Sequence, residues 1–382
     1  MRIGVMTFWW SEDNYGQLLQ CYALQKYLRD LGHDAFLIRY RMPDSVPFDL
    51  KQKLLKFGLH PWLVFDGLRR VFVRRKGRAE LAAHPRQFST FRQRYLKVSD
   101  DVYHTIDDIR KSPPPASVYI VGSDQVWQFG ESFRHDDILA MLLDFGTDAV
   151  KRVSYAASFG WSDFSRMEKR EMTRCLKRFQ AISVREKSGL EACWSVGYDS
   201  AKLVCDPTIL LSAEDYLEMA EKPGHERKYV FCYMLTNKCD FKYPKLKAWA
   251  DMKGLDIVYV PGNTLGDSSY DDGSAVREFL TIPQWLGCLA SAEYVVTNSF
   301  HCCVFAAHFN RKIGVVPLKG MSAGLNARLE ALDRILVSDL PQIIGNQFSI
   351  LEGASAAQFV LGANASGRDF LDSVLSREAH HE

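Results

Sequence analysis

The chain has 382 residues, 47% of them apolar and 25% charged, with a formal net charge of +2. That length exceeds the ~250 to 300 residues at which single cores stop growing, which predicts two domains, and no run reaches the ~18 uninterrupted apolar residues of a membrane helix. The opening MRIGVMTFWW enters strand-like sequence without a basic region and cleavage site, so the expectation is a soluble, cytoplasmic protein.

Residues 2–9 read as a first strand, and the polar turn SEDN leads into an amphipathic helix from Tyr15 to Leu31, ended by Gly32. Leu18, Leu19, Tyr22, Ala23, Tyr27 and Leu28 recur on it at helical spacing. With a strand from Ala35 to Tyr40 this makes a βαβ unit, and its turn brings Asn14, Tyr15, Gly16 and Gln17 to a helix N-terminus. A single glycine does not make a dinucleotide fingerprint, and the simplest role of Asn14 is an N-cap.

Between Lys51 and Lys97 there are thirteen Lys or Arg against two acids, which leaves the remainder of the chain at −9. A solvated helical face is the plain reading; contact with lipid headgroups or a pyrophosphate-bearing substrate is the alternative. Nucleic acid is not expected, because Trp62, Phe65 and Phe72 fit the apolar faces of helices rather than a stacking platform.

The strand Val118 to Val121 ends at Ser123, Asp124 and Trp127; Val150 to Ala157 ends at Ser158 and Gly160 before a helix through Lys177. Ala181 to Val184 ends at Arg185 and Glu186, and Leu203 to Val204 at Asp206 and Pro207. Four polar turns after four strands open on one sheet edge if the strands are parallel. Asp124 is a candidate general base or sugar-hydroxyl contact, with helix capping as its bland role. An isolated arginine is more often a surface salt-bridge partner, but a place directly after a buried strand makes a ligand role for Arg185 more credible than usual.

A second series starts at Lys228 to Tyr233 and Leu255 to Val260, followed by the loop Asn263 to Ala275 and a helix Ile282 to Leu289. Tyr294 to Thr297 is then a short β-branched strand that ends at Asn298 and Ser299 and delivers a helix through Phe309. His301 therefore lies in the first turn of a helix at the carboxyl end of a strand, where open α/β sheets place ligands and where an anion is favoured. Ile313 to Val316 is one more strand, Asn326 to Ile335 a helix, and Ser355 to Leu375 a helix interrupted at Gly362 and Gly367. Nine cysteines at irregular spacing, with Cys302 and Cys303 vicinal, suggest free buried thiols rather than a metal site or disulfide framework. Cys302 follows His301, but neighbours on a helix point about 100° apart and do not readily share a proton.

Together NYGQLLQCYALQKYL, VGSDQVW, YAASFG, ISVREKSG, CDPTILL and VVTNSFHCCVFAAHF resemble the polysaccharide pyruvyl transferase family, in order and spacing from Met1 to about Ile335. The resemblance implies an α/β fold of two Rossmann-like domains facing across a cleft, as in GT-B glycosyltransferases. The expected division is 1–212 for the first domain, with a basic helical insertion at about 45–97, 213–350 for the second, and a helical tail 351–382 packing back across the junction. It implies transfer of a pyruvyl group from phosphoenolpyruvate to two hydroxyls of a glycan, with release of phosphate and no metal or cofactor. It also implies donor contacts from a histidine, which falls on His301, and an arginine, which falls on Arg185. The family's Arg-Leu-His is Ser299-Phe300-His301 in this chain, so a cation is missing at 299, and serine cannot copy the bidentate pairing of arginine. Arg328 and Arg311 are the candidates to replace it.

On this reading His301 is the acid and Asp124 the base, and the substrate-binding candidates are Arg185, Asn14, Tyr15, Gly16, Gln17, Ser123, Ser158, Asn298, Ser299 and Arg328. Trp9, Trp10, Trp127 and Trp161 can stack on sugars, though core packing is the commoner fate of such residues. The partners are phosphoenolpyruvate and a glycan or lipid-linked sugar, with peripheral contact to the inner face of a membrane through residues 51–97. Segments 44–86 and 263–275 are the candidates for acceptor recognition. The competing readings are a nucleotide-sugar glycosyltransferase and a non-catalytic glycan-binding protein.

Overall fold

The computed structural model describes residues 1–41, 72, 75–77, 79–129, 134–160, 164–236, 239, 241–262, 274–316, 318, 350–351 and 353–376. The basic insertion up to residue 71, Trp161, the loop 263–273 and the helix expected at 326–335 with Arg328 lie outside these residues.

The strands of the first half are β1 Arg2–Met6, β2 Asp34–Tyr40, β3 Val98–Tyr103, β4 Val118–Gly122, β5 Lys151–Ala157, β6 Ala181–Val184 and β7 Lys202–Leu203. They form one sheet in the order β3-β2-β1-β4-β5-β6-β7, every pair parallel. Side chains alternate across it: Ala35 and Leu37 of β2 enter one core, Phe36, Ile38 and Tyr40 the other. Helices α1 Tyr15–Asp30, α2 Phe88–Tyr95, α3 Ile106–Lys111, α4 His135–Met141, α5 Arg166–Leu176 and α6 Lys187–Ser195 belong to this half.

The second sheet runs β12-β11-β10-β8-β9, from β8 Tyr229–Met234, β9 Asp256–Pro261, β10 Tyr294–Thr297, β11 Lys312–Val315 and β12 Ile350–Leu351, with only β12 antiparallel. Its helices are α7 Ala213–Leu217, α8 Tyr243–Met252, α9 Ile282–Ser291 and α10 Phe300–His308, and α11 Gly353–Leu375 follows β12. The protein is thus α/β, built from two Rossmann-like sheets. Among the described residues no helix is long and apolar enough to cross a membrane.

Strand order reverses between β1 and β4 in the first sheet and between β8 and β10 in the second. At such a point the connections leave for opposite faces and open a crevice beyond the strand ends. Both reversals meet at the junction, which a single apolar core fills: Tyr15 stacks on Trp285 at 5.1 Å and meets Tyr233 edge-on at 5.7 Å.

Three expectations need correction, and one strand is unannounced by the sequence. The opening strand stops at Met6 instead of reaching Trp9. The edge strand β3 has no sequence signature, because its central Asp100, Asp101 and Val102 are all exposed. Helix α11 runs unbroken through Gly362 and Gly367, and at Gly367 a Cβ would fall 2.4 Å from Tyr155 Oη and 2.7 Å from Cys205 Sγ. That glycine lets the tail approach the first half closely, where Arg368 also donates to the Leu210 carbonyl at 2.8 Å. Finally, the basic segment is not simply a solvated face. Arg86 is buried and donates to Asp13 O at 3.3 Å and Pro261 O at 2.7 Å, tying the first half to the second, and Arg92 donates to Ser11 O at 2.6 Å.

Candidate active site at the opposed strand ends

The first wall is the turn after β1. Asn14 is extended and caps α1, its Oδ1 accepting from Gln17 N at 3.3 Å. The Gln17 side chain donates to Asp124 Oδ2 at 3.0 Å and so links the turn after β1 to the turn after β4. Asp124 holds a left-handed φ of 66°, a conformation costly for a residue with a Cβ, though less so for Asp. Its carbonyl accepts from Val126 N at 2.8 Å and Ser158 N at 3.0 Å, which holds it there.

The turns after β5, β6 and β7 complete the wall. Ser158 donates to Glu186 Oε1 at 2.6 Å. Ser123 donates to Asp206 Oδ2 at 3.1 Å, and Arg185 Nη1 donates to the same oxygen at 2.5 Å. Arg185 Nη2 lies 3.7 Å from Asp124 Oδ1, and Nε 3.7 Å from Glu186 Oε2. Both nitrogens are buried without a hydrogen-bond partner. Beneath the guanidinium lies the Phe300 ring, 5.2 Å from its centroid, so this aromatic supports the arginine by a cation–π contact.

The second half supplies His301. Thr297 donates to Tyr233 O at 2.6 Å, fixing the end of β10, and Ser299 caps α10 by accepting from Cys302 N at 3.4 Å. Capping turns the first helical residues toward the first half. His301 Nε2 comes within 3.5 Å of Asp206 Oδ2 and makes no hydrogen bond. On its other side the ring fits against Gly16, where a Cβ would stand 2.3 Å from Nδ1. The imidazole thus occupies space that only a glycine leaves open.

Burial penalises the ionised form of Asp206, but His301, Arg185 and Thr208 more than offset it and hold its carboxyl well below the usual carboxylate range. Burial likewise opposes the charge on Arg185, while Asp206, Glu186 and Asp124 reinforce its protonation. The thiols do not compete as nucleophiles: burial pushes Cys302 well above its ordinary value and Cys303 up to about 12.

Of the residues singled out from sequence, Gly16, Gln17, Ser123, Asp124, Ser158, Arg185, Ser299 and His301 converge in this way. Asn14 serves as a cap. Tyr15 is turned away, with its hydroxyl donating to Leu280 O at 2.7 Å inside the junction core. Asn298 is engaged with the turn after β8, accepting from Leu235 N at 2.7 Å and donating to Thr236 O at 2.6 Å. Trp127 is core, donating to Met141 O at 3.0 Å. Arg311 cannot replace the missing cation at 299, because it donates to Phe309 O and Ala292 O at the far end of α10. Asp206, Glu186 and Phe300 were not singled out; the signal for Asp206 was its place directly after a strand, before Pro207. Among the described residues no cluster of His, Cys, Asp and Glu is suited to a metal ion.

The model of the family described as polysaccharide pyruvyl transferase matches residues 14–316, which include every member of this cluster. No protein of curated function matches the sequence. Among solved structures, S. aureus MnaA with UDP is similar at 12% identity and a TM-score of 0.49, covering 98% of this chain and 96% of its own. UDP-GlcNAc 2-epimerase from Neisseria meningitidis, bound to UDP-GlcNAc, is similar at 8% identity and a TM-score of 0.49, covering 99% and 100%. MurG from Acinetobacter baumannii is similar at 9% identity and a TM-score of 0.40, covering 98% and 99%.

Proposed function

Because the chain belongs to the polysaccharide pyruvyl transferase family, we propose that it transfers a pyruvyl group from phosphoenolpyruvate to a sugar of a surface polysaccharide or glycan precursor. The product is a pyruvate ketal, and phosphate is released. The observation that carries this reading is the meeting of Arg185 from one half and His301 from the other on Asp206, each with buried nitrogens that make no hydrogen bond. A guanidinium edge without hydrogen bonds suits a carboxylate, and the N-terminus of α10 suits a phosphate.

In the proposed step a sugar hydroxyl oxygen bonds to C2 of the donor while C3 takes a proton and becomes a methyl group. His301 is the acid for C3, and Asp124, oriented by Gln17, accepts the hydroxyl proton. The C2–O bond to phosphate then breaks, phosphate leaves with the bonding pair and takes the proton held by Asp124, and a second hydroxyl closes the ketal as its proton returns to His301. The positive charge in this scheme comes from Arg185 and the α10 N-terminus, and no metal or organic cofactor is invoked.

For a lipid-linked acceptor, peripheral membrane contact through residues 51–97 remains part of the proposal. It draws on cations other than Arg86 and Arg92, which are engaged within the protein. A second reading, a glycosyltransferase with a nucleotide-sugar donor, is favoured by one observation: Arg185 is surrounded by Asp124, Glu186 and Asp206, with Ser299 where the family has arginine.

A thermal-shift titration of wild type, Arg185→Ala and His301→Ala with phosphoenolpyruvate, with nucleoside diphosphates alongside, decides between them. Stabilisation by phosphoenolpyruvate that Arg185→Ala abolishes is the expected result. Stabilisation by nucleotide alone would replace pyruvyl transfer with the second reading.

A further inference from the structure

We infer that Asp206 is the positioning residue of this site, one carboxylate oxygen fixing the arginine of the first half and the histidine of the second in a common geometry. The two oxygens of Asp206 divide the work. Oδ1 accepts from Thr208 N at 3.0 Å and Thr208 Oγ1 at 2.7 Å, closing the turn Pro207–Ile209. Oδ2 accepts from Ser123 at 3.1 Å and Arg185 Nη1 at 2.5 Å, and faces His301 Nε2 at 3.5 Å. A carboxylate kept only to cap a turn needs Oδ1 alone. Oδ2 instead gathers groups from the ends of β4 and β6 and from α10, at a position 1% exposed.

What Oδ2 leaves free matters as much as what it holds. With Nη1 pinned and the Phe300 ring under the guanidinium plane, the Nε and Nη2 edge of Arg185 is fixed in orientation and makes no hydrogen bond. The same oxygen stands opposite His301 Nε2, so it selects the tautomer with the proton on Nε2, while Nδ1 lies against Gly16. Asp206 touches no reacting atom in this arrangement; it acts through Arg185 and His301.

The affinity part of the test rests on the phosphoenolpyruvate reading; the tautomer part does not. Asp206→Asn keeps an oxygen for Thr208 and puts an NH₂ where Oδ2 stood, opposed to the Arg185 and His301 donors. In calorimetric titrations this variant is expected to bind phosphoenolpyruvate about tenfold or more weakly than wild type. Thr208→Val, which disturbs the Oδ1 side only, is expected to lower the melting temperature and leave affinity unchanged. In ¹⁵N-histidine spectra, with His301→Asn for assignment, wild type is expected to show the Nε2–H tautomer and Asp206→Asn to lose it.

Equal loss of affinity in Asp206→Asn and Thr208→Val would make the role structural and overturn the inference. An Nδ1–H tautomer in wild type would also overturn it, and that measurement stands even if Asp206→Asn fails to fold. If wild type does not bind phosphoenolpyruvate, the function proposed above falls, and the ring tautomer alone decides the role of Asp206.

Discussion

Gly16 shapes the site by what it lacks. A Cβ there would lie 2.3 Å from His301 Nδ1 and 2.5 Å from Cγ, closer than real Cβ contacts come, so an alanine must displace the imidazole. Gly16 stands near the start of α1 without a positive φ, and replacing a helical glycine by alanine favours the helix by roughly 0.5–1 kcal/mol. The two effects oppose each other in stability but not in function. Gly16→Ala is therefore expected to keep the far-ultraviolet circular dichroism and a melting temperature near wild type, yet lose the shift induced by phosphoenolpyruvate. A full ligand shift in that variant would mean that His301 moves freely and that the ring is not held as described. Position marks two of the clustered residues in the sequence: Arg185 stands directly after a strand, and His301 in the first turn of the helix that follows one. Asp206 was read as the end of a strand and not as a hub, because its partners Arg185 and Ser123 lie 21 and 83 residues away, a distance that only the folded sheet closes.

Among elements, the unit from β10 to α10 was the most legible, because a β-branched strand, two capping residues and an apolar helix leave little choice of local structure. Ser299, where the resemblance leads one to expect an arginine, caps α10 with its hydroxyl. Ser299→Ala is expected to cost about 1 kcal/mol of stability, as lost N-caps do. Ser299→Arg loses the same cap, since guanidinium cannot accept a hydrogen bond, but brings the missing cation to the site. Its expected signature is a lower melting temperature together with a larger stabilisation by phosphoenolpyruvate, read from denaturation with and without ligand. A smaller stabilisation than in wild type would show that position 299 does not face the donor. Elements failed to declare themselves where pattern and packing disagree. Strand β3 carries VSDDVY, with three exposed residues at its centre, and is a strand because β2 offers it an edge. Helix α11 tolerates Gly367 because the close approach of Tyr155 and Cys205 requires it.

At the scale of the molecule, one continuous apolar core joins the two halves. Tyr15 of the first half donates to the Leu280 carbonyl of the second at 2.7 Å, and His308 Nε2 lies 2.8 Å from the Thr208 carbonyl across the junction. A two-domain length was legible from sequence, but not this seam, whose contacts are all distant in the chain. His308 makes it testable. Burial lowers its pKa below the ordinary histidine value, against a smaller opposing effect from the Thr208 carbonyl. The unfolded chain therefore takes up a proton near pH 6.5 that the folded protein resists. Stability is complete above that pH and falls as the pH drops below it, by up to about 1.4 kcal/mol per unit, until the folded value is passed. The buried carboxylate of Asp206 contributes in the same direction only under stronger acid, below its unfolded value of about 3.9. His308→Gln keeps an N–H for the Thr208 carbonyl and removes the titration. Between about pH 5 and 7 its melting temperature is expected to vary less with pH than that of wild type. Parallel curves would show that the junction does not hold His308 neutral, and that the acid sensitivity of the molecule resides elsewhere.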